Sequence, residues 1–104
     1  MDKVYFISDG KNVKIGFTKS SVFKRVKQLS TGSATKLYVL GYIRGTKALE
    51  KELHIKFGNE RLNLEWFKAT DELLRYINDN NLLDVSIQWY NGRLIPYKKI
   101  SMAD

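Results

Sequence analysis

Nine of the chain's 18 Lys and Arg residues fall within residues 1–44, alongside two acids, Asp2 and Asp9. They are Lys3, Lys11, Lys14, Lys19, Lys24, Arg25, Lys27, Lys36 and Arg44. Residues 46–104 hold nine of each sign, so the whole net charge of +7 belongs to the first segment. A one-sided excess of cations suits a surface that meets a polyanion. The alternative is a solvated basic face with no charged partner. Further along, Glu50 and His54, the one histidine, stand four residues apart in a helical pattern. They therefore share one helix face, either as a working pair or as an ordinary surface pair.

Size and composition restrict what surrounds these groups. A chain of 104 residues with 43% hydrophobic content supports one core and leaves little room for a second. With no cysteine, disulfide staples and thiolate metal sites are excluded, which fits a reducing interior. No run approaches the roughly 18 apolar residues of a membrane span. The start, MDKVYFISDGK, lacks the apolar stretch of a signal peptide. The expectation is an intracellular protein with no membrane partner.

The elements that must position the charged groups read as follows. Val4–Ile7 and Val13–Phe17 form two strands around the turn Ser8-Asp9-Gly10. Ser20 or Ser21 caps a helix from Val22, whose Val22, Val26 and Leu29 make a buried stripe. Thr31-Gly32-Ser33 ends it. Leu37–Ile43 is a third strand, and Gly41 within it signals a bulge or a close backbone approach. Thr46 caps a helix from Lys47 to Phe57, stopped by Gly58. Leu64, Trp66 and Phe67 cluster around Glu65, and Thr70 caps a third helix. Val85–Tyr90 and Arg93–Ile100 form a hairpin through Asn91-Gly92, with Pro96 marking an edge strand. The order ββ-α-β-α-α-ββ is an α+β domain.

Four features in sequence order carry a family resemblance: Val4-Tyr5-Phe6 followed by Lys14-Ile15-Gly16; Arg25 in the first helix; Glu50 and His54 in EKELH; and Arg61 before Glu65-Trp66-Phe67. The set resembles the GIY-YIG nuclease superfamily. It is most similar to the small branch named after phage DNA-binding domains and a meiotically up-regulated gene, in which KIG and EWF occur. The resemblance spans about residues 3–77. It implies a nuclease module over residues 1–77, with residues 78–104 as a C-terminal β-hairpin extension of the same domain. It also implies a three-stranded antiparallel sheet flanked by helices, and a phosphodiesterase that uses one divalent metal, Mg²⁺ or Mn²⁺. Tyr5, Lys14, Arg25 and Glu50 take the catalytic positions, with Glu50 as the metal ligand. Three positions depart from the pattern: VYF stands in place of GIY, Leu29 where several superfamily members have His, and Leu64 where the branch has Gly.

Physical chemistry supplies a role for each residue. A water attacking a phosphodiester must lose a proton, and a phenol, with a reference pKa of about 10, needs nearby cations to act as its base. Tyr5 and Lys14 belong to paired strands, which can put both side chains on one face. Arg25 can add to that field or grip the phosphate with its planar fork. Glu50 offers oxygen to a hard cation. Gly16 permits close approach to the backbone. His54 is either a partner that orients Glu50 or a packing histidine. Glu65, Trp66 and Phe67 together read as a structural plug, with the two aromatics in the core. Lys19, Lys24, Lys27 and Lys36 are candidate phosphate contacts. Arg93, Tyr97, Lys98 and Lys99 of the last hairpin either track a nucleic-acid backbone, extend the sheet, or pair with a second subunit.

The leading expectation is a metal-dependent endonuclease acting on nucleic acid, DNA rather than RNA. Two alternatives are a module that binds DNA without cutting and a phage or viral accessory protein that binds other proteins. With one site, a module this small would have to form a homodimer, or act twice, to break both strands.

Overall fold

A computed structural model of the chain describes residues 2–31 and 36–98. Strands β1 (Lys3–Ser8) and β2 (Asn12–Thr18) form an antiparallel hairpin. Its tip is held by Asp9, whose Oδ1 accepts from the backbone N–H groups of Lys11 and Asn12, each at 2.9 Å. Gly10 sits there at φ +105°, a conformation that favours glycine. On the other side of β1 lies β3 (Tyr38–Arg44), also antiparallel.

The sheet is covered on both faces, and the pleat decides what goes where. Tyr5 and Ile7 point to the side occupied by α1 (Val22–Ser30), where they meet Val22 with Val26, Leu29, Val39 and Tyr42 around them. Val4 and Phe6 point to the opposite side, joining Val13 and Ile15 in the larger core. That side receives α2 (Lys47–Lys56) through Leu53 and the adjoining Phe57, and α3 (Asp71–Asn80) through Leu73, Leu74 and Ile77. Each helix starts on a hydroxyl cap: Ser21, Thr46 and Thr70 accept from Lys24, Ala48 and Leu73 respectively. Of the two serines expected to cap α1, Ser21 does so. The expected stop signal at Thr31-Gly32-Ser33 lies partly outside the described residues, and α1 ends at Ser30.

The antiparallel sheet has five strands, where three were expected. After α2 and a 3-10 turn (Gly58–Glu60) come β4 (Arg61–Asn63) and β5 (Trp66–Lys68), in the sheet order β3-β1-β2-β5-β4. Three-residue strands are too short to show alternation in sequence. What creates them is the buried Phe67, which brings β5 alongside Val13 of β2. Leu64, expected within the apolar cluster, is 74% exposed at the bend between the two strands, at φ +46°. Arg61 Nε donates to its carbonyl.

Gly41 serves both of its expected uses. The β1–β3 register slips between Phe6 and Ile7, where the partner moves from Gly41 to Val39. A Cβ on Gly41 would collide with the Asn81 amide. That amide accepts from Tyr42 N at 3.2 Å and Leu83 N at 2.9 Å, and donates to Leu40 O at 2.9 Å.

The C-terminal hairpin, β6 (Val85–Tyr90) and β7 (Arg93–Lys98), forms its own two-stranded sheet and does not lengthen the larger one. Asn91 and Gly92 have φ +50° and +76°, as the two-residue primed turn requires. Ile87 and Leu94 are buried in the larger core, and Leu94 N donates to Gly10 O at 2.7 Å. Residue 77 falls inside α3, whose Asn78 holds Ile87 of the hairpin by both backbone groups. Lys99 and Ile100 lie outside the described residues.

Candidate metal and phosphate site

β5 pairs with only the first part of β2, from Asn12 to Lys14. Immediately beyond it, both polar backbone groups of Ile15 are used at the strand edge. Ile15 N donates to Glu65 O at 2.9 Å. Ile15 O lies 2.9 Å from His54 Nε2. A carbonyl can only accept, so Nε2 is the donor. His54 also packs its ring against Phe67, with centroids 5.1 Å apart. Strand backbone and core aromatic thus fix the imidazole.

Glu50 stands one helical turn before His54 and shares its face. It is 6% exposed, the most buried acid among the described residues. Burial raises its pKa above the usual carboxylate range, and the neighbouring charge of Glu65 adds to this, while His54 opposes it. Among the described residues it has no salt bridge, and its side-chain hydrogen-bond partner is the carboxyl of Glu65. Glu65 is shared differently: its Oε2 pairs with Lys14 Nζ at 2.9 Å. One ligand atom from each of Glu50, His54 and Glu65 lies within 4.8 Å of the others. Two carboxylates, one of them buried, and an imidazole form a donor set that fits a divalent cation.

Tyr5 occupies the other face. It pairs with Gly16 across the β1–β2 ladder, and its ring and hydroxyl fill the space that a Cβ on Gly16 would take. It is 1% exposed, packed with Ile7 and Val22. Lys14 opposes Ile7, so the strand period puts Lys14 on the same face as Tyr5. Its side chain then reaches the β2 edge to meet Glu65.

The structure therefore brings Lys14 into contact with Glu65, and Glu65 together with Glu50 and His54. Tyr5 joins this group only through the strand: it lies over Gly16, the neighbour of the residue that His54 holds. Tyr5 and Glu50 approach β2 from opposite faces of the sheet. Arg25 is half-buried on α1, and its guanidinium donates to Gln28 Oε1 at 3.4 Å. None of its described contacts reaches Lys14 or the carboxylates. Lys19, Lys24, Lys27 and Lys36 are all exposed, Lys36 lying over the Tyr38 ring at 5.3 Å. Trp66 is half-buried and Phe67 fully buried, as befits a plug.

Glu65 is the residue that sequence reasoning missed. It was passed over as part of the plug because its proximity to Glu50 depends on a strand pair too short to foresee. The departure at Leu64, where the small branch has Gly, was the available signal: it marks a left-handed turn, and a turn there implies strands on either side.

No curated protein and no solved structure matches the chain. No described helix is long and apolar enough to cross a membrane. The T5orf172 domain matches residues 2–89, from β1 into β6. The chain therefore belongs to the T5orf172 domain family.

Proposed function

We propose that the chain is a metal-dependent endonuclease of the GIY-YIG type, hydrolysing phosphodiester bonds in nucleic acid, with DNA as the substrate. The observation that carries the reading is the junction at the β2 edge. There the cation Lys14 meets a carboxylate–imidazole cluster, with Tyr5 lying over the adjoining Gly16.

In the reaction, the oxygen of a water bonds to phosphorus while the bond from phosphorus to the leaving oxygen breaks. Tyr5 Oη orients that water and relays its proton, giving up its own hydroxyl proton to solvent as it takes the water's, and the leaving oxygen takes a proton from solvent. Lys14 supplies positive charge beside the phosphate, on the same sheet face as Tyr5. Arg25, which is engaged only weakly by Gln28, turns its guanidinium to the phosphate oxygens. Glu50 holds one divalent cation, Mg²⁺ or Mn²⁺. When bound, that cation stabilises the charge that builds on the phosphoryl oxygens and the leaving group. The exposed Lys19, Lys24, Lys27 and Lys36 contact flanking phosphates and set affinity rather than rate. With one site per chain, each event nicks one strand, and a double-strand break needs two molecules or two events.

A second reading has an observation of its own. Tyr5 sits in an apolar cluster at 1% exposure, as a purely structural aromatic would. On that reading the module binds DNA through its basic surface and does not cut.

A supercoiled-plasmid assay separates the two. The nuclease reading expects open-circle product with Mg²⁺ or Mn²⁺, none with chelator, and none from Tyr5→Phe or Glu50→Ala proteins that still bind. Salt-sensitive binding without cutting in any metal would leave the binding module.

A further inference from the structure

The reading above asks only for a carboxylate on a hard cation, yet the cluster also contains a nitrogen donor. Because Ile15 O accepts from His54 Nε2, the neutral ring carries its lone pair on Nδ1. Metal-binding histidines are commonly arranged this way: one nitrogen donates to a backbone carbonyl while the other ligates. The ring also packs against Phe67, with centroids 5.1 Å apart. The ligand atoms of Glu50, His54 and Glu65 lie within 4.8 Å of one another. Atoms bound to one small divalent ion at 2.0–2.2 Å are at most roughly 4.4 Å apart. Three atoms that share the ion equally are closer still, at most about 3.8 Å apart, so side-chain movement of less than about an ångström closes the site.

The surroundings also call for a cation. Glu50, 6% exposed, has a second carboxyl, that of Glu65, as its side-chain hydrogen-bond partner. Lys14 engages one oxygen of Glu65, Oε2, which leaves the other oxygen available. Two facing carboxylates need a shared proton or a further positive charge.

We infer that His54 Nδ1 and Glu65 join Glu50 in a mixed nitrogen–oxygen site that selects a first-row transition ion such as Mn²⁺ over Mg²⁺. The inference rests on the metal-site reading above but not on cutting. Mg²⁺ favours an all-oxygen octahedron and keeps its waters. Imidazole adds affinity for ions later in the first transition row, in the order Mn²⁺ below Zn²⁺.

The test is direct binding to tag-free protein without nucleic acid. Mn²⁺ is titrated by the loss of its free-ion EPR signal, and Mg²⁺ by competition. Wild type is expected to hold Mn²⁺ at least about tenfold more tightly than Mg²⁺. His54→Gln, whose amide can still donate to Ile15 O, is expected to weaken Mn²⁺ by about tenfold or more and to erase most of the preference. Glu65→Gln is expected to weaken Mn²⁺ while folding normally, and Glu50→Gln to abolish binding. Because the chain has one histidine, ¹⁵N NMR of wild type with diamagnetic Zn²⁺ gives a readout that no substitution can disturb. The Nδ1 resonance is expected to shift as a metal-bound nitrogen, with Nε2 still protonated.

Equal affinity for Mn²⁺ and Mg²⁺, unchanged Mn²⁺ binding in His54→Gln, an unmoved Nδ1 resonance, or no ion binding at all would each overturn the inference. Plasmid nicking is scored separately. A protein that nicks with Mg²⁺ but fails these titrations loses this inference and keeps the nuclease reading. One that binds Mn²⁺ through His54 and never nicks does the reverse.

Discussion

Helices α1 and α2 are nearly equal in length, 9 and 10 residues, and cover opposite faces of one sheet, but they treat charge in opposite ways. On α1 the one fully buried residue is Val22, and Lys24 and Lys27 stand in solvent. On α2 the buried residues are Leu53 and Glu50. A solvated lysine costs the fold little and can be exchanged for another. A buried carboxylate facing a second carboxylate works against the fold, and the proposed cation would offset that cost. On α2 one negative charge, that of Glu50, is held inside the fold, whereas the lysines of α1 are spread over a surface.

Breaking the α2 side should have the largest effect. Glu50→Gln is expected to lower metal-dependent hydrolysis by about a hundredfold or more, while raising the stability of the metal-free protein at neutral pH. The sign follows from the raised pKa of Glu50. The folded chain binds this proton more tightly than the unfolded chain does, so the contribution of Glu50 to stability declines as pH rises. The penalty is fully present above the raised pKa and disappears below the ordinary carboxylate value. Denaturant titrations of wild type and Glu50→Gln across that range should show the gap between them narrowing as pH falls.

At the strand between the two helices, Gly16→Ala drives a methyl group into the Tyr5 phenol. It should cost about 1–3 kcal/mol of stability by overpacking and reduce cutting by displacing the hydroxyl, both measurable on the same preparation. Losses on the α1 side should be smaller and of another kind. Lys24→Ala and Lys27→Ala should weaken DNA binding on every sequence alike. Each should reduce the slope of log affinity against log salt by about 0.9 if its lysine meets a phosphate, with hydrolysis at saturating DNA unchanged. The smallest effect belongs to Leu64→Gly. Removing a left-handed, 74% exposed leucine relieves about 1 kcal/mol of strain and costs about as much in chain entropy. Thermal denaturation should move by less than the equivalent of about 0.5 kcal/mol, whereas Gly16→Ala moves it clearly.

Elements with a strong period or a specific turn could be read from sequence. Val13, Ile15 and Phe17 alternate as a strand must, Ser21, Thr46 and Thr70 cap as hydroxyls do, and Asn91-Gly92 makes the turn it signals. Gly41 announced a close approach but not its partner, because Asn81 is 40 positions away and nothing local couples them. The strand pair β4–β5 was hidden, since three residues carry no period and the turn residue is a leucine. That omission concealed Glu65, and with it the difference between one carboxylate and a three-donor cluster. The resemblance puts Lys14 among the expected site residues, but nothing in the sequence pairs it with Glu65. The joining of the two sheet faces around the β2 edge depends on tertiary packing that no spacing encodes.

The central claim is that Tyr5 and Glu50, which approach from opposite faces of the sheet, act on one phosphate at the β2 edge. Single-turnover cleavage by wild type, Tyr5→Phe, Glu50→Gln and the double variant, with DNA saturating, tests this directly. Groups that serve one transition state lose their effects together. The account predicts a double variant no slower than the worse single variant to within about threefold, after single losses of about a hundredfold or more. Losses that multiply, or a Tyr5→Phe enzyme that cuts at the wild-type rate, would contradict it.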